Sequence, residues 1–213
     1  MNNNLTELVF IIDRSGSMHG LEADTMGGFN SMIERQKHSD GDVLVSTILF
    51  NDKTEIIHDR VSINSVRPLS ERDYFASGST ALLDAIGYAI NHIGGIHKYS
   101  RNEDVPHKTL FVITTDGMEN SSHAFNVGQI RQMIERQKNR FGWEFLFLGA
   151  NIDAIGTARS FGISESRAVN YNCDSEGTQL NYDVLNETIS TFRVDKISDK
   201  WKERIDSDYK KRR

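Results

Sequence analysis

The sequence predicts a three-layer α/β fold: a mostly parallel central sheet with one antiparallel edge strand and helices on both faces. Short apolar runs alternate with segments of helical period along the chain, the pattern of a sheet covered by crossover helices. The run at 8–12, made of Leu8, Val9, Phe10, Ile11 and Ile12, is continuously apolar, as a strand buried on both faces must be. One pair of runs is joined only by Asn51, Asp52 and Lys53. Three residues are too few for a parallel crossover, so these two strands read as an antiparallel hairpin.

After the first strand, Leu21, Thr25, Phe29, Met32 and Ile33 recur at helical spacing. Glu22 and Asp24 stand at the start of this helix and Arg35 and Lys37 at its end, each sign matching the helix dipole. The turn Asp40-Gly41-Asp42 leads into a second strand at 43–50, with 54–61 as its hairpin partner. An irregular connection containing Pro68 precedes a helix through Leu82, Leu83, Ile86, Ile90 and Ile93, which is expected to end at Gly94 and Gly95. Residues 108–114 form the next buried strand; Val127, Ile130 and Ile134 mark a helix, and 143–148 a strand. A short helix at 154–161, a weak strand at 167–171 and a helix at 180–192 complete the order βαββαβαβαβα. The hexapeptide Met32-Ile33-Glu34-Arg35-Gln36-Lys37 recurs verbatim at 133–138, but its surroundings match at no fixed period, so a repeat architecture is not expected. Residues 1–195 read as one domain and 196–213 as a charged C-terminal extension whose only large apolar anchors are Trp201 and Ile205.

With 38% hydrophobic residues, 26% charged residues and 2 prolines, the 213-residue chain has a globular composition able to bury a core, which excludes collagen-like and wholly disordered readings. No apolar run approaches the roughly 20 residues of a membrane-spanning helix, and residues 1–4 carry no basic lead of a secretory signal. The single cysteine, Cys173, excludes an internal disulfide and a CxxC pair, and it reads as a bystander. Together these features predict a cytoplasmic chain without a membrane partner. The 25 basic and 30 acidic residues leave a net charge of −5 with no basic stripe in the folded region, so nucleic acid is not an expected partner. The basic block Lys210, Lys211, Arg212 and Arg213 reads as a solvated tail.

The informative residues follow two buried runs. Asp13-Arg14-Ser15-Gly16-Ser17 comes directly after the first strand, and Thr115-Asp116-Gly117 directly after the strand at 108–114. Open parallel sheets bind ligands outside the carboxyl ends of their strands, where the strand order reverses. In an extended loop, alternate side chains point the same way, so Asp13, Ser15 and Ser17 present a carboxylate and two hydroxyls to a common point. Thr80, in Gly78-Ser79-Thr80 ahead of a helix, adds a third hydroxyl. Hard oxygens of this kind suit Mg²⁺, with Mn²⁺ or Ca²⁺ as substitutes, because Mg²⁺ keeps several waters and needs few protein ligands. Three alcohols carry no charge and two carboxylates only balance the ion. Where those carboxylates act through water, the cation stays underneutralised and favours an incoming carboxylate.

At these positions the sequence resembles the von Willebrand factor A (VWA) domain, whose metal-ion-dependent adhesion site (MIDAS) follows the pattern Asp-x-Ser-x-Ser, a distant Thr and a distant Asp. The resemblance covers residues 7–192, and the stretch Leu148-Gly149-Ala150-Asn151-Ile152-Asp153 is similar to one in many bacterial members. It implies the Rossmann-like VWA fold, with Asp13, Ser15, Ser17, Thr80 and Asp116 as the metal set and an acidic side chain of a partner protein completing the shell. Arg14 fills a variable slot of the motif and adds a positive charge near the metal.

Each loop alone is open to a plainer reading, since Ser, Asp and Thr also cap helices and build turns. Asp84 either orients Thr80 or stabilises its helix. His19 and His123 fall near the metal loops in sequence as candidate rim contacts, Met18 and Met118 read as packing, and the loop 120–125 reads either as a partner surface or as a solvated connection. The expected function is a non-enzymatic, cation-dependent protein-binding module: no GxG fingerprint, Walker A lysine or GxSxG elbow is present. A metal-dependent phosphoesterase is the alternative from chemistry, although Ser15 stands where haloacid-type aspartyl-phosphate enzymes carry a second aspartate. The resemblance adds another, a regulatory VWA protein working with a chaperone-like ATPase or a metal-resistance system.

Overall fold

The computed structural model describes residues 2–212. Met1 and Arg213, which enter the readings of the amino-terminal lead and the basic tail, lie outside the described residues. Six strands form one sheet: β1 (Asn2–Asp13), β2 (Asp42–Phe50), β3 (Thr54–Ser62), β4 (Pro106–Thr115), β5 (Glu144–Gly149) and β6 (Ala168–Asn170). Their order across the sheet is β3-β2-β1-β4-β5-β6. Every pairing is parallel except β2 with β3, which puts the antiparallel hairpin at the edge as the short loop requires.

The helices are α1 (Glu22–Lys37), α2 (Leu82–Tyr99), α3 (Val127–Phe141), α4 (Ala154–Ser160), α5 (Ser175–Val194) and α6 (Glu203–Lys211). Leu8, Phe10 and Ile12 of β1 join the core beneath α1, α5 and α6, while Val9 and Ile11 join the core beneath α2, α3 and α4. Side chains alternate between the two faces of a strand, so an unbroken apolar run is what two helical layers demand. The α/β architecture and its mixed sheet therefore match the expectation, and the element order is the expected one with α6 added.

Two helix boundaries differ from the sequence reading, and the C-terminal extension takes a definite place. The second helix continues through Gly94 and Gly95 to Tyr99, because His97 in its last turn is anchored to the buried Glu7 and Ser100 caps it with two hydrogen bonds to the Ile96 carbonyl. Tertiary contact here overrides the glycine signal. Helix α5 starts at Ser175 rather than 180, since the Asp174 side chain accepts a hydrogen bond from Gly177 N (2.8 Å) as its N-cap. The segment after 195 docks: Ile205 is 1% exposed in the core, and Trp201 donates through Nε1 to the Ser166 carbonyl (2.8 Å). Arg212 is not a free tail charge, for it pairs with Asp174 and Asp208 at 2.6 and 2.5 Å.

The strand order reverses between β1 and β4. From β1 the chain moves outward to β2 and β3, then returns to place β4 on the other side of β1. The carboxyl ends of β1 and β4 thus lie side by side, Ile12 opposite Thr114, and the chain leaves them through Asp13 and Asp116.

Candidate metal centre

Three loops meet at this switch point and are tied to one another through backbone. Gly16 N donates to the Gly78 carbonyl (3.0 Å), Ser77 N to the Arg14 carbonyl (2.9 Å), and Asn120 N to the Thr80 carbonyl (3.1 Å). Gly78 sits at φ +75°, a region that admits glycine without strain. Thr80 N in turn donates to the Asn120 side chain (2.9 Å), and Tyr74 OH donates to the Asp13 carbonyl (2.5 Å). These bonds tie the three loops to one another and to the end of β1.

Four of the five expected residues gather around Gly117. Ser17 Oγ donates to Asp116 Oδ1 (2.5 Å) across 99 residues of sequence, and Ser15 Oγ lies 3.1 Å from Ser17 Oγ. A Cβ placed on Gly117 would stand 3.1 Å from both Ser17 Oγ and Thr80 Oγ1 and 3.9 Å from Ser15 Oγ. Glycine therefore leaves open the space on which the three hydroxyls converge.

Asp13 stands one step back. Its Oδ1 accepts from Ser15 N (2.7 Å) and its Oδ2 from Thr115 Oγ1 (2.6 Å). Thr115 escaped the sequence reading because a threonine ending a buried strand carries no signal of its own. Ser15, Thr80 and Asp116 are 1%, 3% and 2% exposed and Asp13 is fully buried, whereas Ser17 is exposed. The cluster thus opens to solvent on one side.

Burial pushes the Asp13 carboxyl up to about 6, against the opposing pull of its hydrogen bonds to Thr115 and Ser15, and the neighbouring Asp116 adds to the rise. Asp116 is raised as well, again chiefly by burial, with Ser17 and Cys173 pulling it back. Among the described residues no basic side chain pairs with either carboxylate. Arg14 points elsewhere: it bonds Glu55 (2.7 Å) and the Asp73 carbonyl (3.0 Å), so its charge is matched and does not face the cluster. Two buried acids without a cationic partner, beside three hard hydroxyl oxygens, fit a divalent cation. Among the described residues no three His, Cys, Asp or Glu side chains form a metal-holding group.

Several neighbours have partners that the sequence reading did not give. Asp84 has no hydrogen bond to Thr80; it stands as the acidic residue in the first turn of α2, and its carboxylate accepts from the backbone N–H groups of His123, Ala124 and Phe125, each at 2.9 Å. Glu119 does the same for Leu83, Ser121 and Ser122. The loop after β4 is thereby clamped to the start of α2. Met18 is packed as expected, but Met118 is 73% exposed. Cys173 is no bystander to the geometry, since its Sγ lies 3.6 Å from Asp116 Oδ2. His19 is drawn to Glu22 (3.1 Å). Beside the cluster lies a cleft of about 700 Å³ lined by Met118, Asn151, Tyr171, Cys173 and Tyr209 among others.

No protein-family model matches the sequence, and no curated protein matches it. Solved structures do. Proximal thread matrix protein 1 from the mussel byssus aligns at a TM-score of 0.58 with 13% identity, over 89% of this chain and 47% of that one. A further structure of that protein, described as having a zinc-occupied MIDAS motif, aligns at 0.58 with 12% identity over the same shares. A von Willebrand factor type A protein from Catenulispora acidiphila aligns at 0.53 with 11% identity, over 86% of this chain and 42% of that one. The ArnB paralog VWA2 from Sulfolobus acidocaldarius aligns at 0.54 with 15% identity, over 88% and 45%. The chain spans less than half the length of these proteins. At such identities the likeness is one of fold, and the fold is that of VWA domains.

Proposed function

We propose that this chain is a divalent-cation-dependent protein-binding module. The observation that carries the reading is the meeting of Ser15, Ser17 and Thr80 hydroxyls with the Asp116 carboxylate around Gly117. In this reading the three hydroxyls and Asp116 hold Mg²⁺, and Asp13 supports the shell from behind while fixing the Ser15 backbone. Bound there, the cation supplies a positive centre that two buried carboxylates acting partly through water do not fully neutralise, and so favours an acidic side chain of another protein.

The chain's own residues do the rest. Exposed Ser17 and Met118 rim the opening, and the clamps from Asp84 and Glu119 keep the loop after β4 in place for a partner. A MIDAS with a bound metal in the mussel protein supports this use of the fold. Neither the phosphoesterase alternative nor a regulatory role beside a chaperone-like ATPase or metal-resistance system gains an observation of its own.

Affinity capture with the immobilised chain, in Mg²⁺ and again in EDTA, tests the reading, with Asp116→Ala as control. A protein retained by the parent only in Mg²⁺ and not retained by the variant is the expected result. Retention that ignores both EDTA and the substitution contradicts it.

A further inference from the structure

At the opposite end of the sheet from the oxygen cluster, where β4 begins at Pro106 and β5 follows Trp143, a cleft of about 560 Å³ opens between the carboxyl-terminal parts of α2 and α3. Sites for small molecules have this size. Gly94 and Gly95 line it from within α2, although each glycine inside a helix costs about 1 kcal/mol relative to alanine. A Cβ on Gly95 meets nothing within 4 Å, so its missing side chain leaves room, while one on Gly94 would lie in ordinary contact with Gln137 Nε2 at 3.4 Å and the Trp143 ring at 3.8 Å. Trp143 forms the inner wall, 4% exposed and stacked on Phe111 at 5.1 Å. Tyr99 and Phe141, 82% and 51% exposed, add two rings to the lining.

The charges have one sign. Lys98 and Arg136 line the cleft, and among the described residues no carboxylate does. The His97 ring packs edge-on to Trp143 at 5.4 Å and is fixed through Nε2 by the buried Glu7 (2.5 Å), whose charge Arg60 matches at 2.8 Å. Lys98 Nζ lies 5.0 Å from the Tyr99 ring centre, and Arg136 has no ion-pair or hydrogen-bond partner among the described residues. Glu103 and Asp104, on the neighbouring turn, are both engaged by Arg101. The carbonyl ends of α2 and α3 contribute about half a negative charge each, which offsets about one of the two charges of Lys98 and Arg136 and leaves about one positive charge in excess.

We propose that this cleft binds a small aromatic carboxylate, its ring against Trp143 and its anionic group on Arg136 and Lys98. The site is independent of the metal reading, since none of its residues belongs to the loops at the carboxyl ends of the strands. The test is calorimetric titration of the full chain with 2-naphthoate and, as control, the neutral 2-naphthamide. The parent is expected to bind the acid, and to bind the amide at least about tenfold more weakly. Arg136→Gln is expected to lose about tenfold in affinity for the acid. Gly95→Leu, whose side chain enters open space and favours the helix, is expected to abolish uptake while its circular dichroism matches the parent's. Absence of uptake at millimolar acid, equal uptake of acid and amide, unchanged affinity in Arg136→Gln, or unchanged affinity in a folded Gly95→Leu chain would each overturn the proposal.

Discussion

Asp13 shows how one side chain couples the fold to the site. It ends a strand buried on both faces, so its carboxylate is placed where water cannot reach it, and hydrogen bonds from Ser15 N and Thr115 Oγ1 only partly compensate. Its folded value near 6 lies above the roughly 3.9 of an unfolded aspartate. The folded chain therefore holds this proton more tightly. The stability that the proton confers is complete below about pH 4 and is lost as pH rises through 6. In EDTA, raising the pH from 4 to 7 is expected to cost the parent on the order of 2–3 kcal/mol more than Asp13→Asn, measured by denaturant unfolding at both pH values. Equal pH dependence in the two chains would show that this carboxyl is not strained by burial. Alternating loop positions made Asp13, Ser15 and Ser17 legible together and the strand end marked Asp116, whereas Thr80 joined them as part of a set through the resemblance to the VWA motif. Thr115, Glu119 and Cys173 were not legible, because their parts depend on neighbours distant in sequence.

Elements were legible where the pattern was periodic and obscure where tertiary contact decided. The charges at both ends of α1 located it closely, whereas the glycine pair misplaced the end of α2, which Glu7 of β1 holds through His97. The start of α5 rests on Asp174, which does not stand out in a polar stretch, while the docking of α6 rests on Ile205, already visible as an apolar anchor, and on Arg212, whose partners Asp174 and Asp208 the sequence does not reveal. The loop between β4 and α3 has a similar hidden dependence on α2. Three backbone N–H groups converge on Asp84, so Asp84→Ala is expected to lower stability by about 2 kcal/mol and to speed hydrogen exchange at His123, Ala124 and Phe125. If those amides keep their protection, the clamp is not what orders the loop.

At the scale of the molecule, the mixed sheet follows from two features that any reader of the sequence meets first, unbroken apolar strands and one short hairpin, while the order of the strands came from the structure. The reversal of strand order between β1 and β4 then brings two carboxylate-bearing loops together without further instruction. No helix among the described residues is long and apolar enough to cross a membrane. The cleft at the far end of the sheet had no sequence signal, because glycines that open a helix look like glycines that end one. What remains to be measured most directly is cation uptake. Calorimetric titration of the EDTA-treated chain with Mg²⁺ is expected to show saturable binding that weakens at least about tenfold in Asp116→Ala and in Gly117→Ala, where the added methyl group crowds Ser17 and Thr80. A parent that takes up no Mg²⁺, or variants that bind it as tightly as the parent, would contradict the metal centre.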